Sequence, residues 1–267
     1  MAIHATAIVG KGSDIAQDVE IGPHVVIESE VKIAKGVKIS ANAYIYRYTE
    51  IGEGTEVHVG AVLGDVPQDT AFTDKATYLK IGKHNIIREY VTIHRGTKEG
   101  TSTIIGNNNY LMASSHVAHN CQIGNNVIIA NSALLGGYVT VEDSAFISGN
   151  VVIHQFSRIG RLSMIGGFSG VNKDVPPYMT VRGPSVVWSI NLVGLRRAKF
   201  DRKTISEIKN AYETLYHSDL NTEQAVEKIL EAKPGKEVMQ LVEFIRNSKR
   251  GICKYRFDAE DREYFES

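Results

Sequence analysis

The stretch that decides the fold runs from Ile105 to Val171 and falls into sixes: IGNNNY LMASSH VAHNCQ IGNNVI IANSAL LGGYVT VEDSAF ISGNVV IHQFSR IGRLSM IGGFSG V. Each group opens on an aliphatic residue: Ile105, Leu111, Val117, Ile123, Ile129, Leu135, Val141, Ile147, Ile153, Ile159, Ile165 and Val171. Four places later stands a small or β-branched residue or a cysteine, as at Ser115, Cys121, Val127, Ala133, Val139, Ala145, Val151, Ser157, Ser163 and Ser169. An amphipathic helix needs a period near 3.6 and an alternating strand a period of two. A period of six is the signature of a parallel β-helix.

Followed outward, the column begins at Ile3 and continues in phase through Val9, Ile15, Ile21, Ile27, Ile33, Ile39, Ile45, Ile51, Val57 and Leu63. It returns at Ile81, Ile87 and Ile93 before joining Ile105. Between positions 3 and 171 there are 29 such slots, and 26 are aliphatic; the exceptions are Asp69, Lys75 and Glu99. Three hexads make one triangular coil, each side a short strand with its aliphatic residue pointing in. The polar segments near 65–78 and 97–103 keep the phase, so they are expected as loops thrown out from a corner, where binding groups tend to sit. The small residue in each hexad is expected at the tight corner, with Asn107, Asn108, Asn125 and Asn126 suited to left-handed backbone angles.

The column is expected to end at DVPPY (Asp174 to Tyr178), where Pro176 and Pro177 remove ladder donors. From about Trp188 the pattern turns helical. Thr204 and Glu207 have the spacing of a capping box before Ile208, Ala211 and Leu215, and Asn221 suits the cap of a helix carrying Ala225, Val226, Ile229 and Leu230. Pro234-Gly235 then separates a further helix that buries Val238, Leu241, Val242 and Ile245. The expected division is a β-helix over 1–187, a helical part over 188–254 and a polar tail over 255–267.

Composition narrows the function. The 267 residues carry 30 basic and 30 acidic side chains, so bulk charge points to neither nucleic acid nor a charged tail. Two cysteines, Cys121 and Cys253, are too few for a disulfide scaffold and suit a reducing compartment. The amino terminus has no basic segment leading an apolar run, and no stretch approaches the roughly 18 apolar residues of a membrane span. A cytoplasmic chain with no integral membrane segment is expected.

Nine histidines are scattered along the sequence. His4, His24, His58, His84 and His217 show no constellation. His116 and His119 differ because the coil places them: with Val117 inward, adding 18 residues to His119 gives Gly137, then Gln155, then Lys173. His119 and Gln155 then stand roughly 10 Å apart, two strand spacings. The glycine between them leaves backbone exposed beside an imidazole, an arrangement suited to a general base and an amide oxyanion donor.

In order and spacing, Gln68-Asp69, IHRGT (Ile93 to Thr97), HVAHNC (His116 to Cys121), HQF (His154 to Phe156), DVPPY and GLRRAKF (Gly194 to Phe200) resemble the UDP-N-acetylglucosamine O-acyltransferase family, which begins lipid A synthesis in Gram-negative bacteria. The likeness extends through FIRNSKRGI and leaves out only about the last dozen residues. It implies a left-handed coil, a mainly β fold closed by C-terminal helices, and a homotrimer with sites between neighbouring prisms. The sister family acting on the glucosamine amine carries an extra amino-terminal uridine-binding domain, and no such segment precedes Ile3.

Position by position, the resemblance implies His119 as general base and the Gly137 amide as oxyanion donor. It places Gln68, Asp69, His116, His154 and Gln155 around the sugar, Asn191 and Arg197 at the uridine diphosphate end, and Gly167 where acyl length is set. The implied partners are acyl carrier protein, bearing a 3-hydroxyacyl thioester, and UDP-N-acetylglucosamine; no cofactor or metal is implied. Arg196, Arg197, Lys199, Arg202 and Lys203 form a basic cluster suited to an acidic carrier protein or, alternatively, a solvated helix face.

Four positions depart from the family pattern: Asn120 for a common Asp, Tyr138 for a His, Ala71 for a Lys and Val193 for a Glu. Asn120 adjoins the base, so charge is expected either from another carboxylate, Asp69 by motif, or to be dispensable because the acceptor is a 3-amino UDP-sugar. Two other classes share the scaffold: γ-type carbonic anhydrases, with zinc on three histidines such as His116, His119 and His154, and non-catalytic hexapeptide-repeat binding modules.

Overall fold

A computed structural model describes residues 2–255. Apart from Tyr255, the tail expected over 255–267 lies outside the described residues. The chain winds as a left-handed parallel β-helix closed at one end by helices. Among the described residues its strands form sheets of 11, 9 and 8 strands. One face stacks Lys38–Ile39, Glu56–Val57 and Ile86–Ile87; a second stacks His116–Val117, Leu134–Leu135 and Val152–Ile153; the third stacks Gln122–Ile123, Thr140–Val141 and Arg158–Ile159. Pairing along the coil is parallel and in register: His116 faces Leu134 and Leu134 faces Val152. The coil is opposite in hand to the usual crossover between parallel strands.

The aliphatic column lines the interior. From Ile21 onward every aliphatic slot is buried, whereas Ile3 is 41% exposed because no coil stacks beneath it. Asp69, Lys75 and Glu99, the three polar slots, are exposed in the two inserts. Their pairing shows how the phase survives: Val62 pairs with Thr92 and Thr92 with His116, so the inserts lengthen a coil by whole hexads.

The tight corner is one residue earlier than expected. In the regular coils from Ile21 onward, away from the two inserts and the end of the column, the residue three places after the inward aliphatic has positive φ, including Asn108 at 56°, Asn120 at 59°, Tyr138 at 60° and Phe156 at 66°. The small residue that follows points inward and is buried, as at Ser115, Cys121 and Ala133. Its size is set by the narrow interior beside the turn rather than by the turn itself. Asn107 and Asn125 do not adopt left-handed angles; the Asn125 side-chain oxygen accepts the Asn107 N–H at 2.8 Å, and Asp143 accepts that of Asn125 at 2.7 Å.

DVPPY does not end the sheets. Val175 still bridges Ile159, and Met179–Arg182 pairs with Met164–Ile165 before turning back antiparallel onto Val186–Ile190. Trp188 therefore lies in a strand. Pro177 takes the place beside Gly160, where a Cβ on the glycine would come within 2.3 Å of the Pro177 nitrogen. The prolines thus end one face, and the chain crosses to another.

Four helices follow: α1 (Leu192–Arg197), α2 (Arg202–Tyr216), α3 (Thr222–Glu231) and α4 (Lys236–Arg246). The cap of α2 is Asp201, accepting the Thr204 N–H at 2.7 Å, not Thr204. Glu207 instead accepts the Gly235 N–H at 3.0 Å and so secures the start of α4. Asn221 caps α3 with a reciprocal bond from Gln224, and Val238, Leu241, Val242 and Ile245 are buried from α4. The segment after α4 returns to the coil: buried Asp174 accepts the Arg158 N–H at 2.9 Å and the Ser248 hydroxyl at 2.7 Å.

Burial rather than column membership sets the worth of each aliphatic. Ile129→Ala should lower the unfolding free energy by about 2–5 kcal/mol. Ile3→Ala, in the same column at the open end, should lower it by under about 1 kcal/mol. Urea unfolding followed by circular dichroism measures both, and equal losses would contradict this packing.

Candidate active site

Both inserts leave the coil at the corner between the second and third faces, and the histidines gather there. Val117 points in, His116 points out one residue earlier, and His119 leads into the corner that Asn120 turns. Asparagine tolerates that left-handed angle better than most residues. Its side chain is held from the second insert: Oδ1 of Asn120 accepts the backbone N–H of Thr97 at 3.0 Å and the Thr97 hydroxyl at 2.9 Å. Nδ1 of His119 lies 3.1 Å from the same oxygen.

This arrangement fixes the tautomer of His119. A backbone N–H only donates, so the Asn120 atom facing Thr97 is its carbonyl oxygen. That oxygen only accepts, so in the neutral ring Nδ1 of His119 carries the proton and Nε2 the lone pair. The imidazole lies against Gly137, one coil on. A Cβ there would meet Cε1 at 2.3 Å and Nε2 at 2.5 Å, so any side chain would displace the ring. Among the described residues the Gly137 N–H has no backbone partner. A basic nitrogen and a free amide donor thus share one place.

Around them is a groove of about 420 Å³ lined in part by Gln68, His94, His116, Gly136, His154 and Gln155. Nδ1 of His116 lies 2.7 Å from the Thr92 hydroxyl. Burial, with His94 and His119 close by, pushes its pKa down to about 4, so the ring is neutral at physiological pH. His94 packs edge-on to it at 4.8 Å, and burial lowers its pKa as well. His94 was missed as a site residue although it lies within IHRGT; the motif held the signal. Thr97, at the end of the same motif, was likewise given no role.

Asp69 lies in the first insert and accepts the Ala71 N–H at 3.0 Å, closing a turn. That insert is pinned through Asp74, which pairs with Arg47 and with buried Arg95, the latter at 2.8 Å. Within the chain the hydrogen-bonding neighbour of His119 Nδ1 is the neutral Asn120 amide. His154 and Gln155 are exposed on the groove, with Nδ1 of His154 3.0 Å from the Gln155 carbonyl. Gly167 stands at a different corner, exposed, and a Cβ there would come no nearer than 3.4 Å to any atom. Asn191 caps α1, its Oδ1 accepting the Gly194 N–H at 3.0 Å and its amide donating to Leu162 O at 2.8 Å. Arg197 is exposed at the end of α1. Neither lines the groove of its own chain. Among the described residues no three His, Cys, Asp or Glu side chains converge to hold a metal.

The low proton affinity of His116 has a direct signature. Its ring should not titrate between about pH 5 and 8 in a two-dimensional NMR titration. An unfolded histidine takes up a proton near pH 6.5. The buried ring waits until about 4. The unfolded state therefore binds more protons between these values, and this contribution to stability is lost as pH falls from about 6.5 towards 4. A normal His116 titration would contradict the burial.

Residues 174–253 match the profile of UDP N-acetylglucosamine O-acyltransferase domain 2, and residues 102–137 match bacterial transferase hexapeptide repeats. An acyl-[acyl-carrier-protein]–UDP-N-acetylglucosamine O-acyltransferase of Syntrophobacter fumaroxidans is 44% identical over 258 residues, covering 95% of this chain and all of that one. The enzyme of the same description from Thermodesulfovibrio yellowstonii is 45% identical, covering 94% of this chain and 99% of its own. A UDP-N-acetylglucosamine acyltransferase of Bacteroides fragilis has a solved structure that superposes with a TM-score of 0.91 at 43% identity, covering 94% of this chain and 99% of that one. With near full-length identity above two residues in five, this chain belongs to the UDP-N-acetylglucosamine O-acyltransferase family.

Proposed function

We propose that this chain transfers a 3-hydroxyacyl group from the thioester of acyl carrier protein to the 3-position of UDP-N-acetylglucosamine, the opening step of lipid A biosynthesis in the cytoplasm. One observation carries the reading: the unprotonated Nε2 of His119 lies beside the free N–H of Gly137. Nε2 takes the proton of the sugar 3-hydroxyl as its oxygen attacks the thioester carbonyl. The carbonyl oxygen gains charge and is met by the Gly137 N–H. Collapse of the adduct expels the carrier thiolate, which recovers the proton from the imidazolium.

The remaining site residues take roles around that step. Neutral His116, with Gln68, Asp69, His154 and Gln155, surrounds the sugar. Asn191 and Arg197 serve the uridine diphosphate of a site completed by a second copy, since both lie away from the groove of their own chain; this is the support for a homotrimer. The guanidinium fork of Arg197 suits a phosphate. Arg196, Arg197, Lys199, Arg202 and Lys203 receive the acidic carrier protein. Gly167, with space where a side chain would stand, leaves room for the acyl chain.

The test is turnover of 3-hydroxyacyl carrier-protein thioesters with UDP-N-acetylglucosamine. His119→Ala should cut kcat by about 10²–10⁴-fold with the fold intact, the range of general acid–base catalysis. Near-normal turnover in this variant removes His119 as the base.

A second reading is favoured by the neutral oxygen of Asn120 beside His119. An amide orients the ring but does not stabilise the imidazolium as a carboxylate does. A 3-amino UDP-sugar attacks through a neutral amine and needs no prior deprotonation. This reading expects higher kcat/KM with the 3-amino acceptor and selective improvement of the 3-hydroxy acceptor by Asn120→Asp. Better use of the 3-hydroxy sugar by the unaltered protein decides for the first reading.

A further inference from the structure

The second insert does more than interrupt the coil. Its two ends grip the same residue: Thr97 donates to the Asn120 side chain through both its N–H and its hydroxyl, and Thr103 accepts the Asn120 N–H at 2.7 Å. Thr97 in turn lies 3.1 Å from the Tyr138 hydroxyl. Because the Thr97 hydroxyl spends its proton on Asn120, the Tyr138 hydroxyl is the donor in that bond. The donors then run one way, from Tyr138 O–H to Thr97, from Thr97 O–H to Asn120, with the His119 Nδ1–H meeting the same oxygen from the other side.

Tyr138 is itself fixed on two sides. Its ring stacks on Phe156 with centroids 5.0 Å apart and planes at 19°, and it stands edge-on to His119 at 5.4 Å and 84°. The phenol therefore touches the imidazole directly and reaches its orienting partner through Thr97. We infer that Thr97 and Tyr138 are positioning residues for the base, and that the 97–103 insert serves to hold Asn120 oxygen-first against His119. The inference rests on the reading of His119 as base. With no carboxylate on Nδ1, orientation is what this partner supplies, and it depends on keeping the Asn120 amide from flipping its NH₂ towards the ring.

Thr97→Val keeps the shape and the backbone N–H but removes the hydroxyl; Tyr138→Phe keeps both ring contacts and removes the donor. Each should lower kcat about 3- to 10-fold, the rate equivalent of one net hydrogen bond, with KM for both substrates unchanged. The double variant should be little worse than Thr97→Val alone, since the two act through one chain of bonds. Thr97→Ser should restore the rate. In ¹⁵N spectra of the imidazoles at pH 8, unaltered His119 should be protonated at Nδ1, and Thr97→Val should populate the Nε2–H form. A His119 that is Nε2-protonated in the unaltered protein, or a Thr97→Val variant with unchanged kcat and tautomer, overturns the proposal. The two readings separate through His119→Ala: if that variant stays active, the base assignment fails, whereas an inactive His119→Ala beside a fully active Thr97→Val sinks positioning alone.

Discussion

Everything in this molecule depends on parallel pairing of each coil with the next at a fixed register. Because strands stack at about 4.7–4.9 Å, the register turns a sequence offset into a contact. Inside, it aligns the aliphatic column from Ile21 to Val171 into one continuous core. Outside, the same offset sets Gly137 beneath the His119 ring and Gln155 one coil further. The site is built by the repeat, and chemistry enters only where the repeat carries an unusual residue.

The groove so formed is poor in charge. His116 is kept neutral by burial and by the neighbouring His94 and His119, burial lowers the pKa of His94, and the partner of His119 is an amide. Charge is concentrated elsewhere, in the Asp74–Arg47–Arg95 cluster that fixes the first insert and on the far surface of α1 and α2. A neutral groove suits an acceptor whose attacking atom enters uncharged. On the proposed function, diphosphate and carrier protein call for positive groups outside it, supplied by a second copy of the chain.

The fold was legible in the sequence because a period of six has no competing interpretation, and the inserts were legible because the phase returned after them. Stacking arithmetic also placed Gly137 against His119. Four features escaped it for physical reasons. The left-handed corner falls on whatever residue occupies the fourth place, even Tyr138 or Phe156, so residue type did not mark it. The prolines of DVPPY redirect the chain to another face, a choice made by packing against Gly160. Glu207 accepts the N–H of Gly235, 28 residues away at the start of α4, which no local spacing records. Thr97 reaches Asn120 only because the insert folds back on its own corner, so a threonine in a polar loop gave no sign of its place beside the partner of His119.

The most direct test of the account is a crystal structure of the protein with the acylated UDP-sugar product bound. The sugar 3-substituent should lie about 3 Å from Nε2 of His119, hydrogen-bonding distance, with the acyl carbonyl oxygen turned to the Gly137 N–H and the diphosphate on Asn191 and Arg197 of a second copy. A product bound with its 3-position away from His119 would contradict the account.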